Sequence, residues 1–146
     1  MVVADNNNHE IYEWVCKKLG YKAAQTITVG VLGPAQRLLA GISYFKKGHV
    51  CLISAAAQNS SWCMPETLSE LLRIPFEILG CKVAKFETSH KNDRANKFCR
   101  GIGCVKEGIL RFDREDGTHT IVWSLTKKEI SKKGWYRYGK QKRTQI

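Results

Sequence analysis

The chain has 146 residues, of which 43% are hydrophobic and 25% charged, and its 24 Lys and Arg against 13 Asp and Glu give a formal net charge of +11. That length and apolar content suit one globular domain with a real core and exclude wholesale disorder. The charge is uneven: from residue 127 onward eight basic residues face one acid, Glu129, so the body is too nearly balanced for composition to declare a nucleic-acid-binding domain.

Asn6, Asn7 and Asn8 offer N-caps for a helix over 9–19, in which Ile11, Trp14, Val15 and Leu19 form an apolar stripe that Gly20 ends. Residues 25–32 read as a strand, a Gly33-Pro34-Ala35 turn leads to an antiparallel partner over 37–45, and the uncharged run 49–57 suits the middle of a sheet. After a loop, a helix over 65–79 places Pro65 at its first position, and Leu68, Leu71, Leu72, Phe76 and Leu79 along one side. Pro75 is expected to bend it. A strand over 82–88 then completes a β-α-β crossover, normally right-handed.

Asn92 is a good N-cap for a short helix whose Ala95, Phe98 and Cys99 share one face, and Gly101 and Gly103 can stop it. Strands over 105–114 and 119–126 flank Asp116-Gly117 and read as a closing hairpin. Trp135, Tyr136 and Tyr138 stand among the basic residues that follow. The segment therefore reads as a partly ordered tail, dividing the chain into a domain over 1–126 and an appendage over 127–146. Cations interleaved with rings suit a nucleic acid, and a solvated tail is the simpler alternative.

The six cysteines make no C-x-x-C pair, and His9, His49, His90 and His119 are scattered, so neither a disulfide nor a metal site is expected. No apolar run approaches a membrane span. Reduced thiols in a cytoplasmic protein are the expectation.

Asn92-x-x-Ala95, an aromatic at Phe98, and Gly103 followed by Cys104 resemble motif B of the GNAT superfamily, the Gcn5-related N-acetyltransferases. Glu107-Gly108-Ile109-Leu110-Arg111 is similar to the EG-x-x-R strand of the branch that acetylates ribosomal-protein N-termini, and small phage-encoded GNAT-like proteins share the likeness. The resemblance implies an α/β fold: a mixed, mostly antiparallel sheet of six or seven strands with a central splayed parallel pair, flanked by helices. It implies acetyl-CoA as co-substrate and a primary amine of a protein, a terminus or a lysine, as acceptor. It places the coenzyme along the backbone of Ser54, Ala55 and Ala56, at the loop Asn59, Ser60, Ser61, Trp62, Cys63 and Met64, and beside Asn92 and Phe98.

That loop in the family reads Arg/Gln-x-x-Gly-x-Gly/Ala, whereas this chain has Asn59, Trp62 and Met64 at those places. Two readings stay open: main-chain N–H groups still hold the pyrophosphate, or Trp62 fills the groove and the protein is a binding or structural component without activity. Nucleic-acid modification on the same fold is a third reading, motivated by the basic tail. Glu87 is the candidate general base, with His49 as a second. Cys99 stands where many members carry a proton-donating Tyr, and a core thiol is its alternative.

Overall fold

The computed structural model describes residues 1–5 and 9–137, and of Ser60 the backbone alone. Seven strands are present: β1 (Val2–Ala4), β2 (Ile27–Leu32), β3 (Leu38–Lys47), β4 (Val50–Ala57), β5 (Val83–Ser89), β6 (Val105–Leu110) and β7 (Thr120–Thr126). They form one sheet in the order β1-β2-β3-β4-β5-β7-β6. Every neighbouring pair is antiparallel except β4 and β5, which run parallel at the centre. This is the mixed, mostly antiparallel α/β sheet that the resemblance implies.

Helix α1 (Glu10–Leu19) covers one face, where Gly41 of β3 lets it come close; a Cβ there would collide with the Val15 side chain. Helices α2 (Pro65–Arg73) and α3 (Asp93–Ile102) cover the other. Period-two alternation sends Ala40, Ile42 and Tyr44, Ala84 and Phe86, and Ile121, Trp123 and Leu125 to that second face, where they join Leu71, Leu72, Cys99 and Ile102 in the main core.

The N-cap expected of Asn6, Asn7 or Asn8 falls outside the described residues; among the described ones, Asp5 serves the first turn of α1. Its two carboxylate oxygens accept from the N–H groups of Ile11 and Tyr12 at 2.9 and 3.1 Å. An anion at this end also suits the helix dipole.

The helix expected over 65–79 is α-helical to Arg73 and then widens into a π turn, Ile74–Ile78. Pro75 has no N–H to return to the carbonyl four residues back, that of Leu71. The buried Tyr44 hydroxyl donates to this carbonyl at 2.8 Å. Tyr44→Phe is therefore expected to cost about 1–2 kcal/mol, read as a lower urea midpoint at unchanged slope. An unchanged midpoint would mean that the Ile74 N–H, which also reaches Leu71, satisfies the carbonyl alone.

Of the segment that the sequence reads as a partly ordered tail, residues 127–137 are described and pack on the body. Helix α4 (Lys127–Ile130) opens with a capping box between Thr126 and Glu129. Ile130 and Tyr136 are buried in the main core. The Ser69 hydroxyl donates to the Tyr136 carbonyl at 3.1 Å, and the Tyr136 hydroxyl to Glu77 at 3.2 Å. Apolar burial against α2 and the π turn thus outweighs the charge of the intervening lysines. Tyr138, Lys140, Lys142 and Arg143 lie outside the described residues.

Candidate active site

The parallel pairing of β4 and β5 runs from Val50↔Val83 to Ile53↔Phe86 and stops. Beyond it β4 stays paired with β3 as far as Ala57, and β5 with β7 as far as Ser89. The two central strands therefore part while each is held by its outer neighbour. The edge of β4 facing the gap offers backbone N–H and C=O groups at alternate residues, and Ser54, Ala55 and Ala56 put only small side chains beside them. Such an edge accepts an extended amide-bearing arm as an added strand.

On the α1 face the gap opens into a cleft of about 480 Å³. Leu52, Ile53 and Ser54 of β4 form one wall, Glu87 of β5 another, Tyr21 after α1 a third, and the β6–β7 connection the fourth. Glu87 is the first β5 residue past the last parallel pair, and alternation turns it away from the core that holds Phe86. Its carboxylate lies 3.4 Å from the Lys85 ammonium. Asp113, Glu115 and Asp116 add carboxylates from the connection. The Thr118 hydroxyl and N–H donate to Asp116 at 2.6 and 2.9 Å and, helped by Arg114 and Lys91, hold its carboxyl below the usual range. In a chain of net charge +11, this cleft is locally acidic.

On the opposite face Trp62, from the β4–α2 loop, packs against Phe98 of α3 with ring centroids 5.6 Å apart, and Phe98 meets Phe86 of β5 at 6.4 Å. Because that loop follows β4 and α3 follows β5, the contact spans the gap between the parted strands. Asn59 accepts from the Ser61 N–H at 2.8 Å, fixing the 3-10 turn Ser60–Trp62. Cys63 is half-buried, and burial raises its thiol. Met64 is exposed and is the N-cap of α2 without a side-chain bond. Trp62 and Met64 are not among the residues with positive φ, so filling the family's glycine places strains no backbone here.

Asn92 caps α3 by accepting from the Ala95 N–H at 3.2 Å, and Gly103, at φ 96°, ends the helix as expected. Gly101 is still helical. Cys99 is 1% exposed, in the core, and is the hydrogen-bond partner that most raises the Cys104 thiol. That burial is what the core-thiol alternative for this position expects. His49 lies in the turn before β4, at the end away from the gap, and is not among the residues lining this cleft. All six cysteines are free.

Sequence reasoning missed Asn96. Its Oδ1 accepts from the Thr88 hydroxyl and from Trp123 Nε1 at 3.2 Å, while its Nδ2 donates to the carbonyls of Ser89 and His90 at 3.1 and 3.4 Å. Trp123 Nε1 also reaches Thr88 at 3.1 Å. This buried network pins α3 to the end of β5, which sets one side of the gap. Its sequence signal was an amide three residues before Cys99, on the buried face of the helix.

No family model matches the sequence, and no curated protein matches it. Among solved structures, the acetyltransferase (GNAT family) from Bacillus anthracis matches with a TM-score of 0.60 at 16% identity, over 80% of this chain and 73% of that one. The spermidine N-acetyltransferase SpeG N152L mutant from Vibrio cholerae has a TM-score of 0.72 at 10% identity, over 90% of this chain and 96% of its own. The ribosomal-protein-S5-alanine acetyltransferase from Vibrio fischeri matches with a TM-score of 0.60 at 14% identity, over 68% of this chain and 61% of that one. A further structure, 24% identical, is covered over 65% of its length. The chain has the GNAT fold.

Proposed function

We propose that the protein is an acetyl-CoA-dependent N-acetyltransferase acting on a primary amine. The observation that carries this is the parting of β4 and β5 after Ile53↔Phe86, with Glu87 at the mouth of the acidic cleft. The pantetheine arm of acetyl-CoA would pair with the β4 edge at Ser54, Ala55 and Ala56, with Asn92 and Phe98 on the α3 side. The first turn of α2 and the loop from Asn59 to Met64, Ser60, Ser61, Trp62 and Cys63 included, would face its pyrophosphate through main-chain groups.

Amines are largely protonated at neutral pH, so one proton must leave before attack on the thioester. Glu87 takes it, directly or through one water, with the Lys85 ammonium 3.4 Å from its carboxylate. An N–H of the β4 edge polarises the carbonyl. The departing thiolate takes its proton from water, since Cys99 is buried.

The acidic cleft suits a cationic acceptor. The EG-x-x-R likeness favours a protein N-terminus over a lysine, and the similarity to a spermidine N-acetyltransferase adds a small polyamine as competitor. The test is release of free thiol from acetyl-CoA with three acceptors: a free N-terminal peptide, an N-blocked lysine peptide and spermidine. Turnover greatest with the first supports the reading, preference for spermidine moves the acceptor to polyamines, and none with any of them contradicts transfer. The free thiols suit a reducing compartment such as the cytoplasm.

The Trp62–Phe98 contact favours a second reading, in which the gap is closed and the fold serves as a non-catalytic binding component. Under it, Trp62→Ala would create acetyl-CoA binding that the wild type lacks. Nucleic-acid binding through residues past 126 is a lesser alternative, since α4, Ile130 and Tyr136 are committed to the body.

A further inference from the structure

The sequence scatters His90 and His119, and the fold stacks them. Their ring centroids are 4.6 Å apart with planes inclined by 29°. His90 precedes α3, and His119 precedes β7 at the end of the connection that walls the acidic cleft. Each imidazole accepts a backbone hydrogen bond through Nδ1: His90 from the His119 N–H at 2.9 Å, and His119 from the Phe112 N–H at 2.8 Å. The His90 N–H returns a bond to the His119 carbonyl at 2.8 Å. Phe112 is 74% exposed, sits at φ 56°, and sets its ring edge-on to His119 at 4.7 Å.

A bulky residue with positive φ is held there against its preference. What holds it is the bond to His119 and the ring contact. Asp113 follows at once in the cleft wall, where the Thr120 hydroxyl donates to it at 2.8 Å. A parallel tether runs from the Ser89 hydroxyl to Thr118 at 2.9 Å and on to Asp116. The wall of the cleft is thereby tied to the turn before α3.

We propose that His90 and His119 are positioning residues that hold the β6–β7 connection against the cleft only while both imidazoles are neutral. An Nδ1 that accepts an N–H must keep its lone pair, so each ring carries its proton on Nε2. Protonation at Nδ1 abolishes both acceptor bonds and places two cations face to face. The charged groups around the pair are Lys91 beside His90, Arg111 beside Phe112, and Asp113, Arg114 and Asp116 in the connection. Of these, Arg114 and Lys91 act on Asp116.

The consequence for transfer rests on the reading of the cleft as the acceptor site; the consequence for the fold does not. The first arm of the test uses the full chain and no substrate: nitrogen-15 spectra of both imidazoles and of the Phe112 and His119 amides, at pH of about 8 and about 5.5, either side of the imidazole range. Nε2-protonated rings at the higher pH, and amides that shift together as the rings titrate, are expected. An Nδ1-protonated ring at the higher pH, or amides indifferent to the titration, overturns the proposal. The second arm compares wild type with His90→Asn plus His119→Asn, since the Asn oxygen can accept in place of Nδ1 and does not titrate. Between the same two pH values the acceptor KM should rise about fivefold more in wild type than in the variant, the worth of one backbone hydrogen bond. Equal pH profiles would overturn it. If no transfer is detected at all, the functional reading fails and the first arm still decides this one.

Discussion

Glu87→Gln is expected to lower kcat by about 100-fold or more, the range in which a positioned general base contributes. The amide keeps the shape of the side chain and its reach towards the cleft but cannot take a proton at neutral pH. Because Glu87 lies at the surface and its ion pair with Lys85 is exposed, folding stability should change by less than about 1 kcal/mol. Acetyl-CoA binding should stay unchanged, since none of the assigned coenzyme contacts involves Glu87. A loss in kcat with binding and thermal midpoint intact separates a chemical role from a structural one. Activity within twofold of wild type would move the base elsewhere.

Asn96→Ala is expected to produce the largest loss of stability among single substitutions at the site, about 3 kcal/mol. Asn96 is 3% exposed and its amide makes four hydrogen bonds, two through Oδ1 and two through Nδ2. Truncation strands the Thr88 hydroxyl proton and the His90 carbonyl, each worth about 1–3 kcal/mol when buried and unpaired, with water and local shift recovering part, while the Ser89 carbonyl keeps the Asn92 N–H at 3.0 Å. The urea midpoint should fall at nearly constant slope. Asn96→Asp should be at least as damaging, because it buries a charge and loses both donors. A cost under about 1 kcal/mol would show that the network is not what fixes α3 to β5.

What the sequence made legible was local. The Asn92 cap, the Gly103 stop, the uncharged β4 and the Pro65 start are each set by a few neighbouring residues, and the motif around Asn92 led to the right sheet. What it hid depends on residues far apart in the chain. Asp5 accepts from the first turn of α1 because β1 brings it under that helix. Pro75 falls in a π turn, where the Leu71 carbonyl that it has no N–H to reach accepts from Tyr44 of β3 and from the Ile74 N–H. Residues 127–137 read as tail because lysines surround Ile130, Trp135 and Tyr136, and three apolar residues at irregular spacing give no period to detect.

The site was legible in the same uneven way. Glu87 could be found because alternation along β5 sets it opposite Phe86 and Thr88. The acidic wall from Asp113 to Asp116 could not, since the sequence reads strand as far as residue 114 and a turn at Asp116-Gly117, whereas β6 ends at Leu110 and the connection that follows has no periodicity. The stacked histidines belong to segments 29 residues apart in sequence, and only the β5–β7 pairing brings them together.

The central claim is that the gap between β4 and β5 is a coenzyme groove in spite of Trp62 and Met64. Calorimetric titration of acetyl-CoA into the purified protein, with Asn92→Ala alongside, tests it most directly. Binding in the micromolar range, about −8 kcal/mol, is expected, weakened in the variant while the variant remains folded at the protein concentration used. No heat of binding from a folded wild-type protein would contradict it and would leave the Trp62–Phe98 contact as a closed gate.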